Sequence, residues 1–375
     1  MAAGFERRTW CISYSDRVEA LVGAGARLRL GEALAGIEPS VDKVAVVLDS
    51  GVPRSLVEPM LAGIREQGIP VSVYVSPGGE KAKSLEAVIE LWRWMLGEEL
   101  TRASVVVAVG GGAVTDSAGF AAATYMRGVR WVTVPTTLLG MADAAVGGKT
   151  AVNMAGKNMV GAFHQPRLIV ADVEFVETLP EREYRSGLAE VAKHSLIRGG
   201  SFYRWLRDSS PLLLRRDMAA LTRAVAESVD VKMGVVVQDP REEKGVRAVL
   251  NLGHTYAHAL EKASGYTIPH GYAVAVGVVV ESAAAERIIG TDPAVTAEVV
   301  SLVSSLGLPS APPRSPGCEE TIAEIRLDKK RRGDKLLLPL LEDIGRVRLV
   351  KLGLEEARKE LLAACRRLQE ARARG

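Results

Sequence analysis

The sequence predicts an α/β protein in which a parallel sheet covered by helices is followed by a mostly α-helical region. Two observations carry this prediction. Through the first half of the chain, short β-rich apolar runs alternate with segments of helical spacing, an arrangement typical of βαβ units. Beyond residue 180 the apolar runs give way to long helical stretches. We therefore expect an N-terminal α/β domain over residues 1–179 and a helical domain over residues 180–375.

Five apolar runs are the expected strands of the parallel sheet. They cover residues 44–48, 71–75, 105–109, 131–134 and 168–171. A segment with helical spacing lies between two of them, at residues 84–96. Because strands in such units are covered on both faces, continuous apolar runs are the pattern expected of them.

Long helical patterns make up most of the second domain. They cover residues 188–197, 218–237, 247–263 and 272–289. The proline-rich segment 310–317 predicts a loop before a short helix at residues 319–325. The pattern at residues 354–368 places Cys365 and three leucines on one face and charges on the other, which is ordinary amphipathic packing.

Composition restricts the class of protein and its partners. The chain has 375 residues, of which 47% are hydrophobic, enough for about two domains. A net charge of +3, with no basic block interleaved with aromatics, argues against nucleic acid as a partner. The longest apolar stretch, at residues 273–280, is too short to span a bilayer, so we expect no membrane partner and a cytoplasmic location. Cys11, Cys318 and Cys365 lack paired spacing, which predicts free thiols.

Three loops at the ends of predicted strands carry groups that suit a nucleotide. Residues 110–112 are all glycine and precede a helical pattern containing Asp116; residues 77–83 include Glu80 and lysines; Thr136 and Thr137 follow a third strand. Glycines after a strand let the backbone approach a pyrophosphate at a helix N-terminus. The spacing is not GxGxxG, so a tight turn explains the glycines equally well. Because ligands collect at the carboxyl ends of parallel strands, the three loops together favour a nucleotide.

Histidine is unevenly distributed, and the distribution outlines a metal site. Three of the five histidines lie between residues 254 and 270. Four polar residues fall at positions i, i+4, i+7 and i+11 of one predicted helix: Arg247, Asn251, His254 and His258. With Glu190, two imidazoles make a normal ligand set for a catalytic zinc that keeps one position open. Singly, each residue also fits a solvated helix face; the set favours a metal, and spacing alone leaves open which histidines bind it.

A glycine-rich segment near the end of the first domain carries charged groups. Asp143, Lys149, Lys157 and Asn158 are separated by Gly147, Gly148 and Gly156. Glycine between charges predicts a loop folded over a polar ligand, and lysines with an amide suit a phosphate or a carboxylate. Each lysine alone would be read as a solvated surface charge.

Together these motifs resemble those of the 3-dehydroquinate synthases, which belong to the sugar phosphate cyclases. The matching motifs are GGG at 110–112 with Asp116, AAATYMRG at 121–128, PTTLL at 135–139, GGKT at 147–150, GKN at 156–158, RSGLAE at 185–190, NLGHTYAH at 251–258 and DKK at 328–330. The resemblance covers nearly the whole chain. It implies an NAD-binding α/β domain, a helical metal-binding domain, a cleft between them, and a homodimer.

The resemblance also implies roles for individual residues. The zinc or cobalt ligands would be Glu190, His254 and His270. Substrate phosphate would meet Lys149, Asn158, His258 and one of Lys329 and Lys330, with Arg127 reaching in from the partner subunit. The substrate carboxylate would meet Lys232, Arg247 and Asn251, and the reacting hydroxyls Asp143 and Lys193. NAD would contact Asp49, Glu80, Lys83, Gly111, Gly112, Asp116, Thr136, Thr137, Lys157, Phe175 and Thr178.

The implied reaction converts 3-deoxy-D-arabino-heptulosonate 7-phosphate into 3-dehydroquinate and phosphate, a lyase step of the shikimate pathway for aromatic amino acids. It combines transient oxidation by NAD, loss of phosphate, re-reduction and an intramolecular aldol closure. Several positions depart from the family pattern, namely Tyr272, Ala257, Gly51 and a shorter loop from Lys149 to Lys157. Tyr272 matters most, because it stands where glutamate usually follows His-Gly, so a carboxylate partner for the metal ligand is missing there.

Two other activities fit parts of the same pattern. A sibling cyclase acting on sedoheptulose 7-phosphate would leave the cationic group of Lys232 and Arg247 without a carboxylate. A metal-dependent glycerol phosphate or polyol dehydrogenase would share the two-domain plan and release NADH, but it would not need Lys149, Asn158 and the segment 328–330. An inactive binding protein on this fold is disfavoured because each expected metal ligand is present.

Overall fold

The computed structural model describes residues 15–327 and 335–374. Its strands are β1 (Glu19–Gly23), β2 (Val44–Asp49), β3 (Val71–Ser76), β4 (Val105–Gly110), β5 (Arg130–Pro135), β6 (Lys149–Val152), β7 (Val160–Phe163), β8 (Leu168–Asp172), β9 (Lys335–Asp343) and β10 (Arg346–Gly353). Six of them form a parallel sheet in the order β1-β8-β5-β4-β2-β3. The five predicted strands are confirmed, each within two residues at either end.

The sheet is buried on both faces, as continuous apolar runs predict. In β2, Val44, Val46 and Leu48 belong to one hydrophobic core, whereas Ala45 and Val47 belong to a second core on the opposite face. Strand β1 was not predicted, because its residues are exposed or half-buried at the sheet edge and it has no long apolar run. The hairpins β6–β7 and β9–β10 were also missed.

The helices are α1 (Leu30–Ala35), α2 (Arg54–Glu66), α3 (Leu85–Gly97), α4 (Gly112–Thr124), α5 (Glu181–Arg198), α6 (Gly200–Asp208), α7 (Ser210–Leu214), α8 (Met218–Gln238), α9 (His254–Ala263), α10 (His270–Ile288), α11 (Pro293–Ser305), α12 (Cys318–Ala323) and α13 (Leu354–Arg374). Those from α5 onward form the predicted helical region. The division at residue 180 stays a prediction; α5 begins close to it. No helix in the described ranges is both long and apolar enough to cross a membrane.

The helix predicted over residues 247–263 is wrong as a single element. A 3₁₀ turn covers Val246–Asn251, and α9 begins only at His254. Gly253 breaks the helix with a φ of 79°, and a Cβ there would lie 2.4 Å from Val278 Cγ2 on α10. The close approach of α9 and α10 therefore requires glycine and interrupts the polar stripe.

The prediction of free thiols is wrong for two of the three cysteines. Cys318 on α12 and Cys365 on α13 form a buried disulfide with a Cα–Cα distance of 5.9 Å. The two helices pack against each other although the cysteines are 47 positions apart, a proximity that spacing in the sequence does not reveal. Cys11 lies outside the described residues.

Candidate active site

A cleft of about 2100 Å³ lies where the strand-end loops of the sheet face residues of α8, α9 and α10. Most residues selected from the sequence line it. Those predicted to contact NAD are Asp49, Glu80, Lys83, Gly111, Gly112, Asp116, Thr136, Thr137, Lys157 and Thr178. Those predicted to meet substrate or metal are Asp143, Lys149, Asn158, Lys232, Asn251, His254, His258 and His270. The fold thus brings separate stretches of the chain to one cavity.

Three side chains form a compact donor cluster beside this cleft. Glu190 comes from α5, while His254 and His270 are the first residues of α9 and α10. His270 Nε2 lies 3.3 Å and His254 Nε2 lies 3.7 Å from Glu190 Oε1, and one donor atom of each residue lies within 4.8 Å of the others. His258 instead groups with Glu261 and His270. The structure therefore assembles the trio that the resemblance implies as metal ligands.

The chemistry of this cluster fits a divalent cation. Glu190 is fully buried, and neither carboxylate oxygen accepts a well-aligned hydrogen bond within the described residues, although Lys193 Nζ lies 2.6 Å from Oε2. Burial would lower the pKa of His270, but Glu190 and Glu261 raise it to about 10. A site that draws a proton onto a half-buried imidazole is one where positive charge is stabilised. Carboxylate and two imidazoles are also the donors that zinc and similar ions prefer.

Two acidic residues that the sequence analysis did not select hold the histidines in place. Buried Glu281 on α10 accepts hydrogen bonds from the backbone N–H groups of Gly253 and Tyr256, and so caps the N-terminus of α9 where His254 lies. Glu261 Oε2 lies 3.2 Å from His270 Nδ1. The carboxylate partner missing at Tyr272 is therefore supplied from α9, in a position that only the folded chain reveals.

A second charged cluster surrounds Asp143. Asp143 Oδ1 lies 3.0 Å from Lys232 Nζ, 3.4 Å from Lys193 Nζ and 3.4 Å from His194 Nε2. Burial alone would raise the pKa of Asp143, but Lys193 and Lys232 outweigh it and hold that pKa well below its usual range. Burial lowers the pKa of Lys232, although Asp143 opposes the shift. Asp143 is therefore an ionised acceptor between two ammonium groups, well suited to orient substrate hydroxyls. His194, which the sequence analysis did not select, completes the cluster.

The predicted nucleotide contacts are organised around α4 and the strand-end loops. Lys83 Nζ lies 2.5 Å from Asp116 Oδ2, and burial raises the pKa of Asp116 to about 6 despite that ion pair. Asp49 accepts a hydrogen bond from the Gly51 N–H, and its carboxylate lies so close to Gly78 that a Cβ there would be 2.3 Å from Oδ1. These contacts fix the carboxylates at the rim where the strands end.

Two residues predicted to meet phosphate, Lys149 and Asn158, already have protein partners, and so does the neighbouring predicted NAD contact Lys157. Lys149 Nζ lies 2.6 Å from Glu242 Oε2, and Lys157 Nζ lies 3.4 Å from Glu261 Oε1. Asn158 has a φ of 55° and donates its backbone N–H to Asn153 Oδ1. Both lysines are about half exposed, so an anion entering the cleft can reach them.

Several selected residues do not line the cleft. Phe175 is fully buried in the core and its side chain does not line the cleft, so its contact with the cofactor stays a prediction. Arg247 is 2% exposed, because its side chain is on the buried side of the 3₁₀ turn. Its guanidinium donates to the carbonyls of Gly147 and Pro240, so it lies behind the cleft wall. Lys193 is also buried, behind Asp143. Arg127 is exposed but is not part of the cleft of its own chain. Lys329 and Lys330 lie outside the described residues.

The chain matches two family models over most of its length. The model for the 3-dehydroquinate synthase N-terminal region matches residues 73–186, and the model for the C-terminal region matches residues 187–331. A 3-dehydroquinate synthase from Pyrobaculum islandicum is 43% identical over 321 residues, which cover 84% of this chain and 93% of that protein.

Two solved structures of sugar phosphate cyclases share the fold. A 2-deoxy-scyllo-inosose synthase complexed with carbaglucose-6-phosphate, NAD⁺ and Co²⁺ has a TM-score of 0.81 and 27% identity, covering 92% of this chain and 96% of that one. A 2-epi-5-epi-valiolone synthase from Streptomyces hygroscopicus with NAD⁺ and Zn²⁺ bound has a TM-score of 0.84 and 27% identity, covering 98% and 100%. On the family models and the identity to its relatives, the chain belongs to the 3-dehydroquinate synthase family.

Proposed function

We propose that this chain converts 3-deoxy-D-arabino-heptulosonate 7-phosphate to 3-dehydroquinate and phosphate, as an NAD- and metal-dependent carbon–oxygen lyase of the shikimate pathway. The observation that carries the proposal is that the Glu190–His254–His270 donor cluster adjoins the cleft lined by the strand-end loops. A hydride acceptor and a cation held at these two places would meet the same substrate. The relatives named above support this pairing, since both cyclase structures contain NAD⁺ and a divalent ion.

The chain's own residues would bind and orient the substrate. When bound, NAD supplies a reversible hydride acceptor and the divalent cation, zinc or cobalt, a Lewis acid. Ionised Asp143, held between Lys193 and Lys232, would accept hydrogen bonds from the ring hydroxyls. The ammonium of Lys193, 2.6 Å from Glu190, would keep that carboxylate ionised and therefore able to hold a cation.

The phosphate and carboxylate ends of the substrate would be held by different groups. Lys149, Asn158 and His258 line the cleft and would bind the phosphate, together with Lys330 or Lys329 and with Arg127 of the partner subunit in a homodimer. Lys232 and Asn251 would bind the carboxylate, and Arg247 would support them from behind the wall. Holding both ends in one enclosed site keeps the open-chain product in position for the aldol closure.

The sibling cyclase remains the second candidate, because Arg247 donates to backbone carbonyls and is not exposed to a substrate carboxylate. The deciding experiment measures phosphate release from 3-deoxy-D-arabino-heptulosonate 7-phosphate and, in parallel, from sedoheptulose 7-phosphate, with catalytic NAD and with or without chelator. Chelator-sensitive release from the acid alone, without accumulation of NADH, is the expected result. Release from the neutral sugar would assign the chain to the sibling cyclases. Steady NADH formation from simple polyols would assign it to the dehydrogenases.

A further inference from the structure

One side chain connects the predicted NAD contacts with the predicted phosphate-binding loop. Asn153 follows β6 and begins the short loop 153–158, which ends with Lys157 and Asn158. Its side-chain Nδ2 donates to Glu80 Oε2 at 2.7 Å, and its Oδ1 accepts from the backbone N–H of Asn158 at 3.0 Å. The two ends of one amide thus bind residues assigned to two different ligands.

The backbone around Asn153 strengthens this connection. The N–H of Asn153 donates to the carbonyl of Lys83 at 2.8 Å, and Asn153 pairs with Ser84 in an isolated parallel bridge. The loop 153–158 is therefore docked on the segment Gly79–Lys83, which carries the NAD contacts Glu80 and Lys83. A change in the position of either segment is transmitted directly to the other.

The geometry requires an amide at this position. The carboxylate of Glu80 needs a donor and the N–H of Asn158 needs an acceptor, and asparagine supplies both within one short side chain. Asn158 has a φ of 55°, in the left-handed region that asparagine adopts more readily than most residues other than glycine, and the bond from its N–H to Asn153 helps to hold it there. That conformation sets the direction of the Asn158 side chain at the cleft.

We propose that Asn153 is a positioning residue that makes NAD binding and phosphate binding favour each other. NAD that binds through Glu80 orders the Gly79–Lys83 segment, and Asn153 passes this order to the phosphate contact Asn158. Phosphate bound at Asn158 has the reciprocal effect on NAD, because coupling between two binding equilibria is symmetric. This inference rests on the proposed function, which assigns NAD to one segment and phosphate to the other.

The test measures NAD dissociation constants on the metal-loaded full chain by calorimetry, with and without saturating inorganic phosphate. In the wild type we expect phosphate to lower the dissociation constant for NAD about fivefold, at the lower end of typical couplings. Asn153→Ala should reduce that ratio to about one. Asn153→Asp should also lose the coupling, because the new carboxylate repels Glu80. This variant should bind phosphate better than Asn153→Ala does, because the aspartate can still accept a hydrogen bond from the Asn158 N–H. Met154→Ala, an exposed change in the same loop, should retain the wild-type ratio.

Two outcomes would overturn the proposal: a wild-type ratio of one, or the full ratio in Asn153→Ala. If Asn153→Ala weakened the binding of both ligands but kept the full ratio, the residue would only maintain the loop. Turnover measured on the same preparations separates this inference from the proposed function. If phosphate strengthens NAD binding but the sugar acid releases no phosphate, the proposed activity is refuted and the role of Asn153 is not. If the sugar acid is turned over but phosphate does not affect NAD binding, the role of Asn153 is refuted and the activity is not.

Discussion

At the scale of single residues, two carboxylates that belong to none of the predicted ligand sets, Glu261 and Glu281, support the histidines of the donor cluster. Glu261 contacts His270 Nδ1 from α9, and Glu281 caps the helix that begins with His254. Tyr272 therefore does not leave His270 without an acidic partner. A hydrogen bond to the non-coordinating nitrogen fixes the orientation of an imidazole ligand and increases its basicity.

Replacing Glu261 should weaken metal binding. We expect Glu261→Ala to lower zinc affinity about tenfold to hundredfold, the usual loss when such an outer partner is removed. Glu261→Gln is the matched control, because its amide oxygen can still accept from His270 Nδ1 and should preserve most of the affinity. Competition titrations against a chromophoric chelator at one fixed pH measure both variants. Equal affinity of Glu261→Ala and the wild type would contradict the role given to Glu261.

Metal affinity should rise with pH. Burial would lower the pKa of His270, but Glu190 and Glu261 raise it to about 10 from the ordinary 6.5, so at neutral pH the metal-free protein holds a proton that the cation must displace. Affinity should increase by up to about tenfold per pH unit below that pKa. The stability of the metal-free protein should change with pH in the opposite direction to metal affinity. Protonated His270 stabilises the metal-free fold fully below pH 6.5, and this contribution is lost as the pH rises through 10. Calorimetry in buffers of different ionisation enthalpy counts the released protons, and zinc binding without proton release would refute this account.

At the scale of elements, the sequence predicts best where burial is uniform. Strands β2, β4, β5 and β8 are almost entirely buried, so their apolar runs are clear, whereas β3 at the sheet edge is mostly half-buried and is predicted by its β-branched composition. The periodicity of residues 247–263 predicts one continuous helix, because local spacing contains no information on the contact between Gly253 and Val278. Arg247 is buried and does not line the cleft, whereas Asn251 and His254 do. Tertiary contacts of this kind are not encoded in local spacing.

The disulfide between α12 and α13 should stabilise the helical region. Cross-linking residues 47 positions apart removes about 4 kcal/mol of loop-closure entropy from the unfolded chain. Because α12 also packs on α9, the helix that carries His254, we expect Cys318→Ser to lower the midpoint of thermal unfolding. The measurement is a melting curve of the wild type with and without reductant beside Cys318→Ser. Cys11→Ser is the control and should melt as the wild type does; identical curves for oxidised and reduced wild type would refute a stabilising disulfide.

At the scale of the whole molecule, the family and the cleft could be anticipated from motifs, while the partners of each side chain could not. The resemblance led to Glu190, His254 and His270, which the fold then brings within ligand distance of one another. It gave no indication that Asn153 bridges Glu80 and Asn158, since that contact joins residues 73 positions apart through two loops. Motifs preserve residues that touch a ligand, whereas the contacts that orient them depend on packing across the entire chain.

The assembly provides the last prediction. Arg127 is exposed, has a φ of 66° and does not line the cleft of its own chain, so in the proposed homodimer it would act in the neighbouring active site. Arg127→Ala and Glu190→Ala should each be nearly inactive alone, the first for want of a phosphate contact and the second for want of a metal ligand. Co-refolded in equal amounts, they should regain up to about a quarter of wild-type turnover, because half of the dimers are then mixed and each has one intact site. If Arg127 served its own chain, every site would carry a defect and mixing would restore nothing.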